Sequence, residues 1–131
     1  MNVTRLAIEA AKMRGWPHRI DYDTTAHIEV ALDGGRTQLV NLTVAQDGDG
    51  DVATFLWSLA AATDAGLDPW KLLAQNMNLT YGRVAVSGTE IRIVYALNDD
   101  HATIVEVGKA IYWVARAADE LEAQTYGTDT L

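Results

Sequence analysis

Apolar residues recur at helical spacing at both ends of the chain. Near the amino terminus charged residues lie off this stripe, whose members are Val3, Leu6, Ala7, Ala10 and Met13. Gly15 can take the left-handed cap conformation and Pro17 lacks a backbone donor, so the first helix should end near Trp16. A longer helix is predicted from about Thr103 to Glu122, with Ile104, Val107, Ile111, Val114, Ala118 and Leu121 facing the core.

Alternation of apolar and polar residues predicts three strands after the first helix. Ile20 and Tyr22 flank a polar position, and the stretch from Ile28 to Leu32 alternates in the same way, which is the period of half-buried strands. The Asp33-Gly34-Gly35 triplet favours a hairpin turn because glycine tolerates positive φ. The stretch from Thr37 to Val44 continues the alternation and is predicted as the third strand.

The middle of the chain is predicted to be helical. After a loop of alternating Asp and Gly, apolar residues follow at helical spacing, namely Phe55, Leu56, Leu59 and Ala60. Asp68 can then accept hydrogen bonds from free amide groups, and Pro69 suits the first position of a helix. Trp70, Leu73 and Met77 share one side of this helix, which should end near Asn78.

A second hairpin and the final helix complete the predicted order. The hairpin joins Arg83 to Ser87 with Glu90 to Leu97, and Asn98-Asp99-Asp100 offers capping oxygens for the helix that follows. The order α-β-β-β-α-β-β-α predicts a single two-layer α+β domain over residues 1–131, with helices on an antiparallel sheet of about five strands. The tail after about residue 124 is expected to fray.

The order and several punctuating residues resemble the YbjN-like family, whose fold is that of the type III secretion chaperones. The resemblance is carried by Leu72-Leu73, Asn76, Leu79, Tyr81-Gly82-Arg83 and Ala118-Asp119-Glu120-Leu121. It covers the second half of the chain closely and the first half in element order. It implies a homodimeric, non-enzymatic domain that holds another polypeptide, or a regulatory domain descended from one, and it carries over no catalytic residues.

Composition limits the classes of partner. The 131 residues include no cysteine, and the formal net charge of −8 repels nucleic-acid phosphates and anionic membranes. We therefore expect neither nucleic acid nor membrane as a partner. Charged residues interrupt the first 16 positions, which does not fit a signal peptide, so a cytoplasmic location is expected. Seven Arg against three Lys loosely indicate a GC-rich bacterial source.

Several residues match known chemical motifs only in part. Asp47, Asp49 and Asp51 have the spacing that begins an EF-hand loop, but Val52 replaces the required Gly and Ser58 the bidentate Glu, so a solvated turn is the better interpretation. The three histidines are scattered and lack zinc-ligand spacing. Neither Ser58 nor Ser87 lies in a nucleophile-elbow context. We predict no enzyme activity and no cofactor.

The aromatic residues give the most informative interaction candidates. On the last helix Trp113 falls nearly opposite the core stripe, with Tyr112 and Val105 broadening an apolar arc at its edge. Trp57 and Trp70 add aromatic surface to the middle of the chain. These five residues are predicted to take part in dimer or client contacts, while cover by a loop or by the first helix is the alternative for Trp113.

The predicted function is a homodimeric, non-enzymatic binding domain for a peptide or protein, with chaperone-like character. It would use apolar helix faces and exposed sheet edges. The alternative is a regulatory or sensory domain that binds a small ligand between the sheet and the helices.

Overall fold

The computed structural model describes residues 2–22 and 25–127. Three helices and six strands follow one another as α1 Val3–Arg14, β1 His18–Tyr22, β2 Thr25–Ala31, β3 Thr37–Gln46, β4 Val52–Ala62, α2 Pro69–Gln75, β5 Arg83–Ser87, β6 Glu90–Asn98 and α3 Ile104–Tyr126. Short 3-10 turns lie at Asp33–Gly35, Asn76–Asn78 and Asp99–His101.

The six strands form one antiparallel sheet in the order β1-β2-β3-β4-β6-β5. Helix α3 packs across β3, β4 and β6, and α1 packs on α3 and on β2. The opposite face of the sheet carries no helix among the described residues. The fold is therefore the predicted two-layer α+β arrangement, with β1 and β5 as its edges.

The predicted helix over residues 55–60 is wrong, because this segment lies in β4. Its inward positions include Thr54 and Ser58, which are fully buried, while Phe55, Trp57 and Leu59 lie on the outer face. Thr54 donates to Asp99 Oδ1 at 3.0 Å and Ser58 donates to the carbonyl of Leu39 at 2.6 Å. Polar groups can lie in a core when they are hydrogen-bonded. Because Thr54 and Ser58 face inward, apolar and polar residues do not alternate along β4 as they do in a typical half-buried strand. The sheet consequently has six strands instead of about five.

The space between sheet and helices is filled by aliphatic side chains. The fully buried ones of largest volume include Ile28, Leu42, Leu56, Ile93 and Ile111. Helices α1 and α3 approach closely at Gly108, where a Cβ atom would lie 3.3 Å from Cβ of Ala10. Burial of this apolar surface stabilises the fold at roughly 25 cal/mol per Å².

The other predicted elements are confirmed with small changes. Gly15 caps α1 with φ +72°, and Asp68 caps α2 by accepting from the amide of Trp70 at 2.9 Å. The cap of α3 is Thr103, whose hydroxyl accepts from the amide of Glu106 at 3.2 Å, so the predicted cap at 98–100 is wrong. The tail predicted to fray after about 124 is helical as far as Tyr126, and residues 128–131 lie outside the described residues.

Candidate functional site

The two edges of the sheet differ in how their backbone groups are covered. At the β5 edge, the amide of Val84 donates to Oδ1 of Asn76 at 2.6 Å, so the segment after α2 caps this strand. At the β1 edge all five residues are exposed. The amide of Glu29 donates to the carbonyl of Pro17 at 2.9 Å, and alternation along an antiparallel pair then turns the backbone groups of His18 and Ile20 away from β2. The β1 edge is thus an open template for another strand.

A groove of about 560 Å³ lies between this open edge and α1. Ile8 of α1 and Ile20 of β1 give it apolar walls, and Ile20 is 52% exposed. Thr4 also lines the groove, and its buried hydroxyl has no hydrogen-bond partner among the described residues. A buried polar group without a partner costs about 1–3 kcal/mol. We call this surface the β1 groove.

Sequence reasoning missed the β1 groove. The alternation of Ile20 and Tyr22 predicted a half-buried strand, yet their side chains are 52% and 75% exposed. An edge strand has only one neighbour, and α1 does not extend over this part of β1. The sequence did contain a signal for an edge strand. The strand after Pro17 is short and contains charged residues, which is typical of the edges of sheets.

Helix α2 and the 3-10 turn that follows it carry the second exposed apolar surface. Trp70, Leu73 and Met77 are 79%, 55% and 88% exposed, and together they form what we call the α2 stripe. Leu72 is the single buried residue of this helix. Large apolar side chains that cluster on a short helix mark interaction surfaces more often than isolated ones do.

Trp57 lies on the open face of the sheet and is half-buried by its own chain. The guanidinium carbon of Arg92 lies 3.7 Å from the centre of the Trp57 ring, and Arg92 also pairs with Glu90 at 2.6 Å. A cation held over an indole shields it from water and contributes about 0.5–1 kcal/mol at exposed sites. Trp57 is therefore less available for a partner than its sequence position indicated.

Asn41 lies opposite Trp57 on the neighbouring strand and begins a hydrogen-bonded network that joins β3, β2 and β1. The ring nitrogens of His27 lie 2.6 Å from Oδ1 of Asn41 and 2.7 Å from Oδ2 of Asp21, and Arg19 pairs with the same carboxyl at 2.8 Å. The hydrogen bond from His27, followed by that from Arg19, holds the pKa of Asp21 below its usual range, although loss of solvent opposes it. The network fixes β1 to its neighbours.

On α3, Trp113 is 40% exposed and Val105 is 70% exposed, whereas Tyr112 is half-buried. The rings of Tyr112 and Trp113 meet edge to face with centres 5.4 Å apart. The segment 78–81 lies across a depression of about 410 Å³ from Trp113 and leaves its indole accessible. Trp113 is therefore partly exposed: the loop faces it across the depression but does not cover it.

The five predicted interaction residues therefore lie on three separate surfaces. Trp57 faces the open side of the sheet, Trp70 belongs to the α2 stripe, and Val105, Tyr112 and Trp113 lie on α3. They do not form one site.

The acidic loop has a structural explanation. Asp47, Asp49 and Asp51 are exposed and their oxygens lie within 4.8 Å of one another, the one such group of three possible ligands within residues 2–22 and 25–127. Oδ1 of Asp47 accepts from the amides of Asp49 and Asp51 at 2.9 and 3.0 Å, which is the hydrogen bonding of an Asx turn. The three carboxyls alone do not make a metal site.

The longest helix, α3, has 23 residues and carries charged side chains along its length. No helix within the described ranges combines the length and apolar character needed to cross a bilayer.

No family model matches the sequence, and no curated protein matches it. The solved structures that are similar to this chain include two chaperone complexes. One is a chain of the HopA1-SchA chaperone-effector complex, with TM-score 0.60 and 13% identity over 91% of each chain. The other is a chain of the Yersinia pestis type III secretion chaperone SycH in complex with a stable fragment of YscM2, with TM-score 0.59 and 15% identity over 91% of this chain and 98% of that one. At such identities the likeness shows the fold alone, which is the predicted type III secretion chaperone-like fold.

Proposed function

We propose that this chain is a non-enzymatic, chaperone-like domain that binds an extended segment of another polypeptide at the β1 groove. The observation that carries the proposal is the open β1 edge beside an apolar groove. An extended segment can hydrogen-bond to the free backbone groups of His18 and Ile20. Its alternate side chains would then point toward the apolar walls that Ile8 and Ile20 give the groove.

The comparisons support this proposal at the level of fold. Both similar structures are described as complexes of a chaperone with another protein or protein fragment. The alternative of a small ligand between sheet and helices has less support, because that space is occupied by fully buried side chains such as Leu42, Leu56 and Ile93. Membership of the YbjN-like family and a cytoplasmic location stay predictions.

The proposal is tested with peptides that bind this protein, selected from a phage-displayed library of random 12-residue sequences. A selected peptide is titrated into the protein while hydrogen exchange of backbone amides is followed by NMR. Binding at the edge should slow exchange of the His18 and Ile20 amides, because each gains a carbonyl partner. Ile20→Asp should weaken binding at least about tenfold, since it places a charge against an apolar contact.

A matched control is Val86→Asp on the opposite edge strand. Val86 is 66% exposed, so the change is similar in exposure and chemistry, but β5 is capped by Asn76. Binding should be unchanged in this variant. Selected peptides whose affinity ignores Ile20→Asp, or which leave amide exchange in β1 unaltered, would contradict binding at this edge.

We also propose that the chain forms a homodimer through the α2 stripe. Two exposed large apolar side chains on a seven-residue helix with one buried residue, and a third in the 3-10 turn that follows, are poorly satisfied in a monomer. Pairing two such helices across a two-fold axis would remove each stripe from water. The open β1 edge lies at the far side of the sheet from β5, which α2 contacts, so dimerisation there leaves the β1 groove free.

A further inference from the structure

The depression beside Trp113 is a built pocket on a surface distinct from the β1 groove. Its wall is the segment 78–81, which contributes Leu79 and Tyr81, and its other side is α3. Tyr81 is held by an edge-to-face contact with Tyr95 at 5.6 Å, and Leu79 packs partly against the core. The wall is anchored in the monomer, so a ligand would not have to order it.

The pocket combines an aromatic base with two cations. Lys109 and Arg116 are on the same side of α3 as Trp113, one turn before it and one turn after it. Arg116 lies 4.9 Å from the Trp113 ring and pairs with Glu120 at 3.1 Å. Lys109 makes no ion pair with any described residue.

The local charge is opposite to that of the whole chain. Lys109, Arg116 and Glu120 together give the pocket one excess positive charge, whereas the chain carries a net charge of −8. An acidic ligand is repelled over most of the surface and attracted at this place. An aromatic ring between two cations favours a ligand that presents an apolar group between two carboxylates.

We propose that this pocket binds a polypeptide segment in which a large apolar residue has an acidic residue two positions away on each side. In an extended segment such residues share one face. The two carboxylates are then about 14 Å apart, four residues at about 3.4 Å each. Lys109 and Arg116 lie about 10 Å apart along the helix axis, and rotation of their long side chains can extend the separation of the two charges toward this span. The inference goes beyond the proposed function because it concerns a second surface, and only the part of this pocket in client binding rests on that proposed function.

The test uses blocked pentapeptides and the indole N–H of Trp113 as the NMR reporter, assigned by its loss in Trp113→Phe. The probe is Glu-Ser-Leu-Ser-Glu. Its control, Ser-Glu-Leu-Glu-Ser, has the same composition but places Leu and the two Glu on opposite faces. The probe should bind about fivefold more tightly than the control and shift the Trp113 signal, and raising the salt concentration should reduce the difference.

Lys109→Glu should lower affinity for the probe about fivefold or more, because it replaces the unpaired cation with a repelling charge. Lys71→Glu makes the same exposed charge change on α2 and should have no effect. Equal affinity for the two pentapeptides, or an unshifted Trp113 signal at saturation, overturns the inference. So does N-acetyl-leucine shifting Trp113 as strongly at the same concentration, because the occupant would then be a small carboxylate.

Failure of this inference is separable from failure of the proposed function. Ile20→Asp should leave binding of the probe at Trp113 unchanged, because β1 and the pocket lie on different surfaces. If the probe instead perturbs β1 amides, the acidic pattern belongs to the β1 groove and the Trp113 pocket is excluded as its site.

Discussion

Gly82 is the residue on which the shape of the Trp113 pocket depends. Its φ of +107° lies in a region that side-chain-bearing residues rarely adopt. A Cβ atom there would lie 2.8 Å from Cγ2 of Ile93 and 3.7 Å from Cγ2 of Val114. Absence of a side chain therefore lets the wall of the pocket pass closely over β6 and α3.

Gly82→Ala should lower the free energy of unfolding by about 2–4 kcal/mol, from backbone strain and the forced shift of buried Ile93. Urea denaturation followed by far-UV circular dichroism measures the change. Gly88→Ala is the matched control, because Gly88 has φ +59° with nothing near its Cβ position. It isolates backbone strain and should cost about 1 kcal/mol. Equal losses in the two variants would show that contact with Ile93 contributes nothing.

Glu122 links stability to pH. Partial burial, followed by the nearby Asp119 carboxyl, raises the pKa of Glu122, and Arg36 partly opposes this. A raised pKa means that the folded state holds the proton more tightly than the unfolded state does. The free energy of unfolding should therefore fall as pH rises from the ordinary Glu range through the raised value.

Glu122→Gln removes this titration, so the variant should be more stable than the wild type at pH 7. The difference should vanish at about pH 3, where the wild-type carboxyl is protonated in both states. Thermal unfolding across this range measures it, with Glu29→Gln, an exposed residue of β2, as control. A variant less stable than the wild type at pH 7 would contradict the assignment.

At the scale of elements, a buried carboxyl joins three parts of the fold. Oδ2 of Asp99 accepts from the amide of Val3 at 3.0 Å, and Oδ1 accepts from the hydroxyl of Thr54 at 3.0 Å. The amide belongs to the free end of α1 and the hydroxyl to β4. One side chain thus holds the start of a helix against the central sheet.

Asp99→Ala should lower the free energy of unfolding by about 3 kcal/mol, because it leaves two buried donors without acceptors. Denaturant unfolding gives the loss, and hydrogen exchange should increase first in the opening turn of α1. Asp100→Ala removes the neighbouring exposed carboxyl and should change stability by less than about 0.5 kcal/mol. Similar losses in both variants would exclude the tether.

The same buried contact explains why part of the fold was predictable and part was not. Helices α1 and α3 and the β5–β6 hairpin follow from periods of apolar residues that packing preserves. Strand β4 does not, because Thr54 is matched by Asp99, 45 positions away, and no local pattern encodes that partner. The Trp113 pocket could be predicted only in part. The position of the indole follows from the helical periodicity of α3, but the wall of the pocket depends on Gly82 and on the contact of Tyr81 with Tyr95, which no local pattern encodes.

At the scale of the whole molecule, the two edges of the sheet differ and suit different contacts. On β5 the amide of Val84 is capped by Asn76 in the turn after α2, whereas all five residues of β1 are exposed. If self-association uses the α2 stripe, two open edges remain at the outer ends of the dimer. Each assembly could then hold two segments, or two parts of one client, with the gain in affinity that linked sites provide.

Self-association predicts that the thermal unfolding temperature rises with protein concentration, because assembly stabilises the folded state by mass action. Leu73→Asp should abolish this dependence and give a monomer in sedimentation velocity. Leu39→Asp is the control, since Leu39 is 49% exposed on the open face of the sheet, away from α2. A dimer that survives Leu73→Asp but is lost in Leu39→Asp would place the interface on the sheet instead.

The Asp99 contact also has a consequence for the order of events on the ribosome. Val3 and Asp99 are 96 positions apart, so the amino end of α1 cannot be held in place until the turn after β6 has been translated. The nascent strands β1 to β4 can pair with their immediate predecessors as they emerge. Completion of the native fold therefore comes later still, after α3, which packs against α1 and the sheet, has left the exit tunnel.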